Sequence, residues 1–493
     1  MLLLGIDLGT SSVKVSVLDA ATQKVLASAQ YPDTEAPIIA SRPGWAEQDP
    51  EQWWLYVKQA IQKVHQAGKY DPKDIGAIGI AYQMHGLVAL DEMGTPVRNS
   101  IIWCDSRAVP YGEDAFKKIG EQACLEHLLN SPGNFTAAKL AWVKDNEPER
   151  FSRISKIMLP GDYIAFRFTA DTTTTVSALS EGIFWDFSAD QISAEVMEVF
   201  GFDHSIIPPI MPLFGEHGRL NEAIATELGL KAGIPVTYKA GDQPNNALSL
   251  NVMRPGEVAA TAGTSGVIYG VADALVYDMQ SRINSFAHVN HTANDPRIGV
   301  LLCINGCGIM NKGIRQLTGA TLSYGAMNSE AAMVAPGCSG LFVLPFGNGA
   351  ERMLGNADTR AQVLGWDLNM HDPAHFYRAA QEGIAFAFRY GFDIMKENGM
   401  SPTVIRAGSA NMFLSDVFSQ ILVDILGVPV ELYNADGSVG AALGAGIGAG
   451  YFSENELGKG LEKSRVVEPS PTFALYEPIY QQWLDHLKTA LTK

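Results

Sequence analysis

A stretch near the start of the chain is repeated in outline half a chain later. Residues 2–19 read LLLGIDLGTSSVKVSVLD, and residues 256–273 read GEVAATAGTSGVIYGVAD. In both, a Gly-Thr-Ser turn separates two runs of strand character. Val13, Val15 and Val17 alternate with Lys14, Ser16 and Leu18, which is the period of a half-buried strand. Gly9 and Gly263 are expected to supply the backbone freedom of a tight turn. An echo of this size predicts two similar domains rather than a solenoid. The length of 493 residues agrees, being too great for one ordinary core.

Between and after these hairpins, strand-like runs alternate with helical ones. Residues 51–66 read as an amphipathic helix with Trp54, Val57, Ile61 and Val64 on one face. Residues 75–80 and 101–103 read as buried strands, 376–396 as a helix, and 404–407 as a strand opening into a Gly-Ser turn. The alternation predicts an α/β fold, with a first domain over 1–248 and a second over 249–493. The small-residue stretch 440–450 reads as a closely packed helix. A net charge of −17 argues against nucleic acid as a partner, since phosphate backbones need a basic face. No segment reads as a membrane span, and the apolar run 1–4 lacks the basic flank and length of a secretory signal. Five scattered cysteines match no zinc spacing and suit a reducing, cytoplasmic setting.

Phosphate has to be gripped at short range by several donors. A Gly-Thr-Ser turn offers backbone N–H groups and hydroxyls, and Lys14 adds positive charge. Either turn alone reads more readily as a plain hairpin. Two in matched context, one per domain, read as gripping a polyphosphate from both sides. No Walker-type P-loop occurs, which excludes a P-loop kinase, and the GxGxxA at 444–449 follows a turn rather than a strand. Asp7 ends an apolar run just before the first turn. A carboxylate there repels ATP unless a cation intervenes, which implies Mg²⁺, although it could equally hydrogen-bond the turn. Asp242, in KAGDQPNNA, could accept a hydroxyl proton during phosphoryl transfer, although on the residues alone an Asp after a Gly is more often a turn or helix-cap residue. In YQMHG, Gln83 and His85 stand at a strand end, where α/β folds bind ligands, although a lone His is more often structural. Trp103, Asp105 and Arg107 form a second cluster that could bind hydroxyls, with Trp103 as an apolar wall.

Together these residues resemble the FGGY carbohydrate kinase family over nearly the whole chain. GIDLGTSSVK resembles its first phosphate motif, TAGTSG its second, and AGDQ the motif of its catalytic base. AAKLAWVKDNEP at 137–148 is similar to its first signature, and AGSANMFLSDVFSQILVDILGVPV at 407–430 to its adenosine-binding turn and helix. The pattern departs at Asn134 and around 365–382, where Trp366 and Gln381 replace usual aliphatic residues. The resemblance implies two duplicated ribonuclease H-like domains of the actin, Hsp70 and hexokinase type, with an interdomain cleft. It implies ATP bound near Gly408, Ser409 and Asn411, with its phosphates between Thr10, Ser11, Ser12 and Lys14 on one side and Gly263 and Thr264 on the other. It further implies Mg²⁺ held through water by Asp7, and Asp242 as general base.

Within the family, QMHG followed by WCDSR, and PGWAEQDPEQWW at 43–54, are most similar to the xylulokinase branch. That similarity places a ketose against Gln83, Met84, His85, Trp103, Asp105, Asp242 and Gln243, and implies phosphorylation of D-xylulose to D-xylulose 5-phosphate. The pair Asp242-Gln243 is the one glycerol kinases show, where xylulokinases commonly have Asp-Asn. Kinases for ribulose, fuculose or glycerol are the near alternatives, and an actin- or Hsp70-like ATPase without a sugar substrate is the remote one. Association into a homodimer is left open.

Overall fold

The computed structural model describes residues 1–319 and 321–492. Its framework is two mixed sheets built on one plan. In the first, strands Leu2–Leu8, Val13–Asp19 and Val25–Tyr31 form an antiparallel meander. Ile75–Tyr82 and then Val236–Gly241 add in parallel on the other side of Leu2–Leu8. In the second sheet, Glu257–Ala262, Gly266–Ala272 and Ile298–Ile304 repeat the meander, and Val404–Gly408 and Val430–Tyr433 repeat the parallel additions. Asn284–Ala287 and Lys463–Val467 extend its two edges. The duplication expected from the two Gly-Thr-Ser turns is therefore the architecture.

The first sheet is covered on both faces. On one lies helix Pro50–Gln66, capped by the Asp49 side chain and burying Trp54, Val57, Ile61 and Val64, the stripe that its 3.6-residue period requires. On the other lies helix Gly437–Gly448, from the distant end of the chain. It sits so close that a Cβ at Gly5 would stand 1.9 Å from the Ser438 carbonyl oxygen, and one at Gly79 2.0 Å from that of Ala441. Ser16 Oγ meets Ser438 Oγ at 2.7 Å, and Thr237 Oγ1 donates to the Ala445 carbonyl at 2.8 Å. Helix Asp242–Ser249 packs beside it, with Asn245 Nδ2 donating to the Gly437 carbonyl at 2.8 Å.

Three local expectations are corrected. Strand Val13–Asp19 is not half-buried: helix Gly437–Gly448 covers the face expected to be wet, and Ser16 and Leu18 are wholly buried. Residues 101–103 do not form a strand. Only Ser100–Ile101 pair, because Asp105 N–H turns back to the Ile102 carbonyl. Neither Gly9 nor Gly263 has a positive φ, so the two turns do not use the left-handed freedom of glycine. The GxGxxA of 444–449 lies at the end of a helix and forms no phosphate loop. None of the five cysteines is paired, and among the described residues no helix is long and apolar enough to cross a membrane.

Gly5→Ala should lower stability by about 1–3 kcal/mol or more, because its methyl group meets helix backbone that cannot yield. Gly313→Ala, with no heavy atom within 4 Å inside helix Gly308–Leu317, should raise it by about 1 kcal/mol. Urea unfolding midpoints of the two variants should therefore move in opposite directions.

Candidate active site

Parallel register brings the chemistry of the first half to one edge. Leu8, Tyr82 and Gly241 are aligned across three strands, so Gly9, Gln83 and Asp242 leave the sheet side by side. This is the carboxyl edge of a parallel array, where α/β sheets present ligand groups. Asp7 stands one residue back, opposite Lys14.

Asp7 and Asp242 face the same space as a third carboxylate, Asp436, which caps helix Gly437–Gly448 by accepting from Ser438 and Val439 N–H. Burial pushes Asp242 up to about 7, and the charge of Asp7 adds to the rise. Burial likewise pushes Asp7 up to about 6, with Asp436 adding and Lys14 opposing. Asp436 carries an Asx-cap signal in NADGSVG that was legible in the sequence but was not read as part of the site.

The first turn is braced from beneath. Gly9 N–H closes it on the Ser12 carbonyl at 3.0 Å. Thr10 Oγ1 accepts from Trp103 Nε1 at 2.9 Å and donates to Gln83 Oε1 at 3.3 Å, while Gln48 Nε2 donates to the Thr10 carbonyl. Ser11 is exposed, and Ser12 and Lys14 are half-buried. Gln83 is therefore placed to hold the turn: it is 1% exposed and its amide also donates to Gln48.

In the second half, Gly263 and Thr264 open into a cavity of about 440 Å³ together with Gly308, Ile309, Asn311 and Lys312. Tyr324, Asn328, Asn411, Met412, Leu414 and Ser415 complete the wall. The Gly263 and Thr264 carbonyls accept the first N–H groups of the segment entering helix Gly308–Leu317. Asn411 lines the cavity beside Gly263, whereas Gly408 and Ser409, named with it as nucleotide-binding, do not line it. Ser409 is tied to Tyr433 and Ser464 behind it. A Gly-Cys-Gly turn after strand Ile298–Ile304 marks Gly308 in the sequence, whereas Tyr324 and Asn328 carry no local signal.

Between the carboxylates and the first half lies a second set of groups. His85 sits at φ +64°, between the rings of Phe135 at 4.7 Å and Phe286 at 5.3 Å. Phe286 comes from the second sheet, so both halves build this wall. Met84 is buried beneath Gly241, and Trp103 is half exposed. Gln243 lies beside Asp242 with its Oε1 buried and unpartnered, an oxygen that invites a donor. Asp105 is not brought to the surface of the site. It is wholly buried, its oxygens taken by Arg107 and by Ala46 N–H, so it anchors Arg107 rather than meeting a ligand. Three residues that the sequence reading missed surround His85. Glu181 is pushed up to about 8 and Lys139 down to about 7 by burial. From the second half, Arg352 Nη2 comes within 3.6 Å of where a Cβ on Gly133 would stand, and it shares the surroundings of Cys303 with Asp242.

Residues 2–249 match the N-terminal domain of the FGGY family of carbohydrate kinases, and residues 258–451 match its C-terminal domain. The xylulose kinase of Bacillus subtilis (strain 168) is 29% identical over 510 residues, covering 99% of this chain and 98% of that one. Among solved structures, a xyloylose (xylulose) kinase from Brucella ovis superposes with a TM-score of 0.89 at 26% identity, covering 99% of both chains. A gluconate kinase from Lactobacillus acidophilus superposes with a TM-score of 0.90 at 24% identity, covering 99% of this chain and 98% of that one. With both domain matches spanning most of its length, a duplicated sheet framework and an aspartate pair at the cleft, this chain belongs to the FGGY family of carbohydrate kinases, which implies that it uses ATP.

Proposed function

We propose that the protein phosphorylates D-xylulose on its 5-hydroxyl, with Asp242 as general base. The observation that carries this reading is the placement of Asp242, at the edge shared by the first phosphate turn and the His85 pocket, with burial lifting its carboxyl to about 7. A base whose pKa lies near the working pH is best matched to taking a hydroxyl proton. In the step itself the O5–H proton passes to Asp242 and O5 bonds to the γ-phosphorus. The bond to the β,γ-bridging oxygen breaks, with its electrons leaving on ADP. Gln243, Met84, His85 and Trp103 would hold the ketose. Thr10, Ser11, Ser12 and Lys14 would face the phosphates from the first half, and Gly263, Thr264 and Asn411 would hold the nucleotide in the second.

Mg²⁺ fits the residues present. Two desolvated, mutually repelling carboxylates supply oxygen-only donors. Among the described residues no group of three or more His, Cys, Asp or Glu is arranged to hold a metal, so the ion would take its remaining ligands from water and phosphate. Held by Asp7 through water, Mg²⁺ would supply charge neutralisation at the phosphates. Closure of the two domains, 1–248 and 249–493, over the bound pair would exclude water. The five unpaired cysteines favour a cytoplasmic setting.

One observation favours a second reading, a kinase for a sugar acid. Arg352 points toward the His85 wall, and no carboxylate pairs with it among the described residues. A substrate carboxylate would satisfy it.

Coupled ADP-release rates with D-xylulose, D-ribulose, L-ribulose, glycerol and D-gluconate should be highest with D-xylulose. A clear preference for gluconate would replace this reading with the second. Asp242→Ala should cut turnover by roughly 10²–10⁴-fold while sugar binding, followed by calorimetry, largely survives. Asp242→Asn should also change stability in a pH-dependent way. The folded-state value is raised, so the wild type loses stability as pH climbs from the ordinary carboxylate range toward about 7. The Asn variant escapes that loss. It should gain on the order of 2–4 kcal/mol over wild type at pH 8, with the gain shrinking as pH falls to 5.

A further inference from the structure

We propose that Glu181 is a positioning residue for sugar recognition: it clamps His85 so that Nε2 of the ring faces the cleft as a neutral hydrogen-bond acceptor. This rests on the sugar-kinase reading for its consequence, though not for its geometry. His85 is held in the left-handed backbone region, which is strained for a residue with a side chain. What holds it there is a buried set of bonds. His85 N–H donates to Glu181 Oε2 at 2.8 Å, while Tyr82 Oη donates to Glu181 Oε1 at 2.7 Å. Lys139 Nζ donates to the His85 carbonyl at 2.8 Å. The backbone on both sides of the ring is thus pinned by buried polar groups with little access to water.

The ring is pinned as well. His85 Nδ1 lies 2.9 Å from the Glu181 carbonyl oxygen, which can only accept, so Nδ1 carries the proton. Nε2 is then left with a lone pair. It bonds no described residue and is not sealed from solvent, while Phe135 and Phe286 flank the ring. A second proton is opposed by burial and by Lys139 and Arg352. The site therefore offers a sugar an acceptor at this point, and demands a hydroxyl that donates.

The clamp is itself built across the two halves. Glu181 ends helix Val176–Glu181, and two serines of that helix are tied to strand Asn284–Ala287. Ser177 Oγ donates to the Ala287 carbonyl at 3.1 Å, and Ala287 N–H donates to Ser180 Oγ at 3.0 Å. One junction thereby sets both Glu181, which holds the His85 backbone and ring proton, and Phe286, which holds the ring face.

The test is kinetic and spectroscopic, on the full chain. Glu181→Ala should raise KM for the sugar by about tenfold or more while KM for ATP stays within about twofold. Glu181→Gln keeps an oxygen for His85 N–H and turns its amide to the Tyr82 hydroxyl, so it should stay within about threefold of wild type. In a His85→Ala background, Glu181→Ala should add less than about twofold, because the two act as one unit. Additive losses, a rise in KM for ATP equal to that for sugar, or a Gln variant as impaired as Ala would overturn the proposal. Should the alanine variant fail to fold, ¹⁵N-histidine spectra of the wild type decide. A neutral ring protonated on Nδ1 from pH 5 to 8 is expected, and an Nε2-protonated or titrating ring would overturn it. If the wild type phosphorylates no sugar in the panel, the functional reading fails, and the spectra still judge the clamp.

Discussion

Helix Gly437–Gly448 lies against the first sheet almost backbone to backbone, and that contact joins the two halves of the chain. Gly5 and Gly79 remove the side chains that would hold the helix off, and Gly444 and Gly448 do the same on its own surface, against Tyr238 and the Thr237 carbonyl. Close approach lets Ser16, Thr237 and Asn245 satisfy backbone and hydroxyl groups that burial would otherwise leave unpaired. The last helix of the second half is thereby locked to the first half, and its N-terminus, with Asp436, is delivered beside Asp7. A small shift in this docking would move the second half relative to the carboxylates of the first.

The electrostatics of the site follow from the same geometry. Asp7 and Asp242 are drawn into one poorly hydrated space, where the charge of Asp436 raises Asp7 and that of Asp7 raises Asp242. Lys14 is the cation opposite Asp7 and offsets the rise only in part. Such an arrangement is poor for stability and good for function. A carboxylate that ionises near neutrality can exchange a proton with a substrate, and one that lacks a cation draws one in with the phosphates. The cost is carried by the extensive apolar burial on both faces of both sheets.

The wall around His85 has a different logic. Its groups are aromatic or neutral in front and ionisable beneath: His85, Phe135, Phe286 and Trp103 form the front, while Glu181, Lys139, Asp105 and Arg107 lie behind them. The buried groups satisfy backbone groups in unusual conformations, and so hold fixed the shape that a ligand meets. Arg352 is the exception, a cation from the second half that has no acidic partner among the described residues and donates to the Ser281 carbonyl.

Much of this could be read before any coordinates. The repeated Gly-Thr-Ser turns predicted a duplicated fold, because a tight turn between two strand runs is a local matter of residue type and period. Asp7 stood out as a carboxylate at a strand end beside such a turn, whereas Asp242, an ordinary turn or cap residue by its neighbours, stood out only through the resemblance of AGDQ to a family motif. The roles of Gln83 and Asp105 could not be judged in the same way. Both looked like cleft residues by position, yet their side chains turn inward to Thr10 and Gln48, and to Arg107, and only packing reveals direction. Glu181, Lys139, Arg352 and Phe286 were invisible, because each is an ordinary residue in an ordinary helix or strand, dozens to hundreds of positions from His85. The sequence by itself determined the two sheets, their turns and the chemistry available at strand ends, all of which depend on near neighbours. Which faces were covered, which polar groups were consumed in holding others, and which halves met at His85 were decided only when distant segments packed, since burial and charge partners are properties of neighbours in space.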